Sequence, residues 1–404
     1  MKHNELDIYV LDPNTYERVY MVEEYESFVW TEKWQDVGDF ELEILVDSNF
    51  HQLFQNGTHI GCSRSKRIMV VDNVVKIEND KGRYVYRVKG KSKENILENR
   101  VYQPTFHKIK NKEKKEEWVQ TPIKDYPQNV INRIWKTVCI DGKYAAQDKV
   151  PYLTDQVPYP PGDIPFPKNQ IVANPKATTL LSIFQDICEA ADIGFRMTYN
   201  HMFQNKLSFD VYSGNDLTSR NNGKKPVVIF SPQLDNLSSV RESASLENYK
   251  NVAYIAGGPL GSATIYADGV NKNISGYDRR VLIIDESKAR LEEGEKFPTD
   301  EMISKAIEEL SKSRATYILD GEIPEYPVYH YGVDYELGDI VEMRNSQGVY
   351  SNMRVAEQTF SCDGSGVKSY PGLLHMTTDV SGVWSSPEWN VHWVDAPQEW
   401  GELR

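Results

Sequence analysis

The chain has 404 residues, of which 40% are hydrophobic and 26% charged, and its formal net charge is −13. That length exceeds what one core usually organises, so about two to four domains are expected, with the composition of an ordinary soluble globular protein. No apolar run approaches the roughly 20 residues of a membrane helix, and an acidic chain gains no counterion release on DNA, which disfavours sequence-specific or groove binding. The opening Met1-Lys2-His3-Asn4-Glu5-Leu6-Asp7 lacks the apolar segment of a secretory signal, so assembly in a cytoplasm is expected.

The four cysteines, Cys62, Cys139, Cys188 and Cys362, stand far apart and form no Cys-x-x-Cys pair. Neither a zinc site nor a disulfide framework is expected, and the thiols read as buried or incidental. Charge is unevenly spread. Residues 1–47 hold 13 acidic and 3 basic side chains, a net of −10, whereas residues 57–100 hold 11 basic and 5 acidic, a net of +6. Two accounts fit. One is cross-strand or intersubunit pairing, with Glu41 and Glu43 near Arg87 and Lys89. The other is a tube whose inner wall is acidic enough that passing DNA does not adhere.

In chain order, residues 5–12 and 16–22 read as short strands joined by the turn sequence Asp12-Pro13-Asn14-Thr15. A third strand over 26–34 bends at Gly38 into 39–46, where Phe40, Leu42, Ile44 and Val46 alternate with Glu41 and Glu43. That period of two marks a strand with one wet and one buried face. Segments 67–77 and 83–89 flank Asn79-Asp80-Lys81-Gly82, a hairpin with glycine where a positive φ is needed. Residues 1–100 are therefore expected to form a small antiparallel barrel.

Five strand motifs in this region carry a resemblance: Tyr9-Val10-Leu11-Asp12, Glu24-Tyr25-Glu26-Ser27-Phe28-Val29-Trp30-Thr31, Val37-Gly38-Asp39-Phe40-Glu41-Leu42, Met69-Val70-Val71-Asp72 and Val88-Lys89-Gly90-Lys91-Ser92. Their order resembles the opening of tailed-phage tail-hub proteins, the siphophage minor tail protein family related in fold to the baseplate hub of contractile phages. The match is good over the first hundred residues and looser beyond.

Residues 101–175 read as a connector or insertion. They include a mixed-charge run over 108–117, a short helix over 129–138 and seven of the chain's 20 prolines between 151 and 175. Residues 176–236 read as an inserted α+β domain. Its helix carries Leu180, Leu181, Phe184, Ile187, Cys188 and Ala191 at helical spacing, with Asn174 as cap and Pro175 in the first turn, and a hairpin follows over 194–212. Residues 237–376 are expected to form a second barrel with a helix inserted at 299–317, capped by Thr299 and with Met302, Ile303, Ala306, Ile307 and Leu310 inside. Leu337-Gly338-Asp339-Ile340-Val341 and its return strand resemble the close of the second tube barrel in hub proteins. The expected fold is thus mainly β with α+β insertions, two tube-forming antiparallel barrels and smaller inserted domains.

Residues 377–404 form a tail with Trp384, Trp389, Trp393 and Trp400, half of the eight tryptophans. So much apolar area is costly in water, and these four are the candidate partner-docking residues. No nucleophile elbow, zinc-protease helix or phosphate-binding loop is present, the histidines are scattered, and no catalytic residue, metal or cofactor is expected. The hub resemblance implies a non-enzymatic homotrimer in the virion, at the tip of the tail. Its implied partners are the tail tube or distal tail protein, the tape-measure protein, and receptor-binding or tip proteins, with DNA passing through unread. A glycan-binding tail protein using the tryptophans is the alternative; a wall hydrolase needs two opposed carboxylates, which 59 Asp and Glu leave undefined.

Overall fold

The computed structural model describes residues 6–46, 51–79, 82–110, 116–154, 159–200, 206–221, 223–267, 270–291, 295–313, 315–322, 328–344 and 350–375. One 13-stranded sheet runs through the molecule. From one edge to the other its path is Ser238–Ser245, Thr316–Glu322, Gly366–His375, Tyr350–Asp363, Ser27–Lys33, Asp39–Leu45, Tyr84–Ser92, Met69–Glu78, His59–Cys62, Ile8–Leu11 and Arg18–Val22. Off this path, Ile340–Arg344 pairs with Tyr350–Asp363 and with Ile229–Phe230.

The local reasons are those of the sequence. In Asp39–Leu45 the alternate residues Phe40, Leu42 and Ile44 are buried, beside Phe28 and Trp30 of the neighbouring strand. The Asp12 carboxylate accepts the Asn14 and Thr15 amides at 2.9 Å each, which fixes the first turn. Gly82 closes the next hairpin at φ +70°, its amide 2.9 Å from the Asn79 carbonyl. Across the exposed face Arg87 meets Glu43 at 2.7 Å and Glu41 at 3.0 Å, and Lys89 meets Glu41 at 2.5 Å. This is the cross-strand pairing account of the charge asymmetry, realised within one chain.

The two expected barrels do not form; among the described residues no sheet closes on itself. A barrel over residues 1–100 would require Ser27–Lys33 and Arg18–Val22, the ends of that strand path, to pair with each other. Instead Ser27–Lys33 pairs with Tyr350–Asp363, in the register Thr31↔Thr359 and Trp30↔Phe360. The expected second barrel is thereby fused to the first as one open, mixed β-rich layer, and among the described residues the strands at both ends have one partner each.

Helix Pro127–Trp135, helix Leu180–Ala191 and the hairpin Gly194–Asn200/Lys206–Tyr212 share one apolar core, in which Trp135 stacks on Phe209 at 4.4 Å between ring centroids. The second of these helices starts later than its sequence pattern expects. Thr179, not Asn174, is the cap, its hydroxyl accepting the Ser182 amide at 3.3 Å. Backbone bonds from Tyr102 to Thr178 and from Leu180 to Arg100 hold the approach extended, and they prevail over the helix-start signal at Asn174-Pro175.

A smaller lobe packs helix Asp300–Lys312 on the sheet Ser262–Tyr266, Val252–Ala256, Val281–Asp285, burying Ala253, Ile255, Ile284, Met302, Ala306 and Leu310. Thr299 caps this helix as expected, accepting the Met302 amide at 3.3 Å, but the helix ends at Lys312 because Thr316–Glu322 joins the main sheet. Among the described residues no helix is long and apolar enough to cross a membrane. All four cysteines are free and buried.

Candidate functional site

The strand Tyr350–Asp363 serves two partners in succession. Its first residues pair with Ile340–Arg344, its later ones with Ser27–Lys33, and a bulge between Val355 and Glu357 marks the change. Trp34 sits at this corner, its amide 2.9 Å from the Ala356 carbonyl. Over its ring, 4.2 Å from the centroid, lies the guanidinium of Arg354, a residue 1% exposed. Arg354 also donates to the Ser213 carbonyl at 3.1 Å, to the Gly338 carbonyl and to the Asp192 carboxylate. One side chain therefore ties the main sheet, the helix end at Asp192, the hairpin end at Ser213 and the turn at Gly338.

Two glycines make that approach possible. Gly338 has φ +86°, and a Cβ there would lie 2.7 Å from Trp34 Nε1; Gly214 has φ +76°, and a Cβ there would lie 1.9 Å from the Gly338 carbonyl oxygen. Next to them Asp339 accepts the Asn215 amide at 2.7 Å, the Asn215 side chain at 2.9 Å and the Glu336 amide at 2.8 Å. Burial pushes its carboxyl up to about 6, with those backbone bonds offsetting part of the effect.

A seam of buried charge continues from the corner. Arg67 lies 3.2 Å from Glu94 and 3.7 Å from Glu32, with all three side chains under 5% exposed. Glu32 also accepts from Trp30 Nε1 at 3.0 Å and from the Tyr331 hydroxyl at 2.8 Å, and Glu94 accepts the Met197 amide at 2.7 Å. Burial works against the Arg67 charge, but Glu94, Tyr212 and Glu32 more than offset it and hold its pKa above the ordinary arginine value. Arg196 meets Asp210 at 2.8 Å and Glu336 at 3.5 Å, and its guanidinium lies 4.2 Å from the Tyr212 ring centroid. Desolvation raises the Asp210 carboxyl, the Arg196 charge counteracting it in part.

Above this seam opens a cleft of about 370 Å³. Its lining includes Arg64, Lys66, Glu32, Glu336, Tyr329 and Tyr331, with Lys66 paired to Glu336 at 2.5 Å. Such an arrangement fixes the mutual orientation of three chain regions.

The expected docking tryptophans, Trp384, Trp389, Trp393 and Trp400, lie outside the described residues. His107 is an exposed partner of Thr121, and His330 lies 3.5 Å from Asp334. Among the described residues no group of three or more His, Cys, Asp or Glu is placed to hold a metal ion. Sequence reasoning missed Trp34, Arg67, Glu94 and Arg354. A signal existed for the last of them: an arginine between Met353 and Val355, where all three residues are buried. The motif Leu337-Gly338-Asp339 was legible as a strand opening, but not as the seat for Trp34.

Against this geometry, a family model described as "Siphovirus ReqiPepy6 Gp37-like protein" matches residues 7–369. The chain belongs to that family. Among solved structures it is similar to the prophage MuSo2 43 kDa tail protein from Shewanella oneidensis, at 13% identity and TM-score 0.52, covering 92% of this chain and 98% of that one. It is also similar to the tail protein from Neisseria meningitidis MC58, at 10% identity and TM-score 0.50, covering 95% and 98%. No curated protein sequence matches. These structural likenesses show a shared fold along nearly the whole length of each chain. The family takes its name from a siphovirus protein, and the fold is one shared with these two tail proteins.

Proposed function

We propose that this Gp37-like protein is one subunit of a homotrimeric hub at the distal end of the tail tube. It joins the tube or distal tail protein to tip and receptor-binding proteins, and the tape-measure protein and then DNA pass along its axis. The observation that carries the reading is the open sheet. One edge is the strand Arg18–Val22, whose Val19, Tyr20 and Met21 are 50%, 52% and 44% exposed; the other is Ser238–Ser245. Among the described residues each of these two end strands has one strand neighbour, and a sheet with two such ends suits head-to-tail pairing in a closed ring.

The test is imaging of the parent particle together with the solution mass of the purified chain carrying Val19→Lys and Met21→Lys. Threefold density at the end of the tube, and a trimer that the two lysines convert to monomer, are expected. Density of this chain elsewhere on the particle, or a ring of different order, overturns the reading.

A further inference from the structure

Residues 250–312 hang from the main sheet by a two-stranded neck. The strands on either side of them, Ser238–Ser245 and Thr316–Glu322, run antiparallel and pair as far as Ser245↔Thr316, and beyond that the Lys250 amide donates to the Ser313 carbonyl at 2.8 Å. Both connections therefore leave the sheet side by side. The lobe also has an apolar core of its own, in which Ala253, Ile255, Ile284, Met302, Ala306 and Leu310 all come from within 250–312. The core shared by helices Pro127–Trp135 and Leu180–Ala191 takes no residue from it. A unit with a separate core moves as a body unless a large apolar interface holds it.

Helix Asp300–Lys312 is fastened to the neighbouring elements by a row of polar contacts. Lys312 meets Asp186 of helix Leu180–Ala191 at 2.8 Å, Lys124 meets Asp300 at 3.3 Å, and the Asn174 side chain donates to Glu301 at 2.6 Å. The four ion-paired side chains are 31–75% exposed, so water and salt screen them. Beside them the Ser304 hydroxyl accepts the Val172 amide at 3.4 Å. Val172 belongs to the strand Ile171–Ala173, whose one strand neighbour among the described residues is Ile123–Asp125. The helix thus stands where a further strand would pair.

We propose that residues 250–312 are a latched lobe, which the clasp of Lys312 with Asp186, Lys124 with Asp300 and Asn174 with Glu301 holds shut over the strand Ile171–Ala173. Release of the clasp swings the lobe on its neck and bares that strand edge, whose backbone groups are then open to pairing with an extended segment. Screening of the clasp charges is enough to shift the balance, because the pairs are exposed and the two cores do not interlock. This inference is independent of the trimeric reading, since it concerns contacts within one chain.

The test places nitroxide labels on the full-length chain at Tyr277→Cys, a fully exposed position of the lobe, and at Lys136→Cys, exposed just after helix Pro127–Trp135. The four native thiols are buried and escape labelling. Pulsed electron-spin resonance is expected to give one narrow distance at about 20 mM salt and a second, longer one at about 500 mM, as the screening length falls from roughly 20 Å to roughly 4 Å. Asp186→Lys with Lys124→Glu, which leaves the lobe itself unaltered, is expected to give the longer distance already at low salt. Amide hydrogen exchange at Val172 is expected to rise at least about fivefold whenever the longer distance appears. A distance that stays short on either the salt or the charge-reversal arm, or a longer distance without faster exchange at Val172, overturns the proposal.

Discussion

Two ion-pair systems in this molecule use the same residue types and do different work. On the sheet of the first hundred residues, Arg87 and Lys89 meet Glu41 and Glu43 on a face where the partners are 14–52% exposed. At the corner, Arg67, Glu32 and Glu94 are under 5% exposed, and Arg354 is enclosed by Trp34, two carbonyls and Asp192. Water screens the first set, whereas in the second only the Asp192 side chain, 40% exposed, reaches solvent. The exposed ladder therefore adds little beyond register, whereas losing one member of the buried set strands its partners in a place where nothing else can solvate them.

The sharpest way to break that contrast is Arg354→Ala. It opens a cavity against Trp34 and orphans the carbonyls of Ser213 and Gly338, so unfolding free energy in denaturant is expected to fall by roughly 3–5 kcal/mol. A loss below about 1 kcal/mol would place the corner on a par with the ladder. Next is Gly214→Ala, whose added Cβ meets the Gly338 carbonyl, with an expected cost of about 2–4 kcal/mol. Gly57→Ala is the control: φ there is +90°, but nothing lies within 4 Å, so only the backbone strain of about 1 kcal/mol should appear.

pH separates the two regions with opposite signs. His59, on the first part of the sheet, has its pKa lowered from 6.5 to about 4, by burial first and then by Lys93. Below pH 6.5 the unfolded chain takes up a proton that the folded chain refuses, so this histidine makes stability fall as pH drops from 6.5 toward 4. Asp339, at the corner, is raised from 3.8 to about 6. Between those values the folded chain holds a proton that the unfolded one has released, so its contribution is greatest below 3.8 and is lost as pH rises through 6. Each effect is worth up to about 3 kcal/mol. His59→Gln should flatten the acid-side loss, and Asp339→Asn should remove the opposing gain, so urea titrations of the two variants between pH 4 and 7 should diverge in slope. Parallel slopes would show that neither burial matters. The smallest effect is expected for Arg87→Ala, below about 1 kcal/mol and shrinking further in high salt.

The same contrast explains what could be seen in advance. The alternation of Phe40, Leu42 and Ile44 with Glu41 and Glu43 is a local pattern; Arg87 and Lys89 lie 44 and 48 residues beyond their partners, but they share the outer face of a strand of the same period, so the charges meet once the two strands pair. The strands and their charge pairing were accordingly legible. The cap at Thr179 was not, because backbone bonds to Arg100 and Tyr102, some eighty residues earlier, hold the chain extended past Asn174. Nor was the corner: Gly338 is unremarkable as a turn residue until Trp34, three hundred residues earlier, is laid against it.

Barrel closure failed as an expectation for a related reason. Period-two patterning tells which face of a strand is buried but carries no information about which strand lies beside it. Ser27–Lys33 had an available neighbour in Arg18–Val22 and took Tyr350–Asp363 instead. By itself, then, the amino-acid order determined the strands of the first hundred residues, the presence of three helices, the first turns and the charge split, which follow mainly from patterns within a few residues. The tertiary structure alone decided that the β regions fuse into one open sheet and where the buried charges meet, because edge pairing and desolvation depend on partners that only folding brings together.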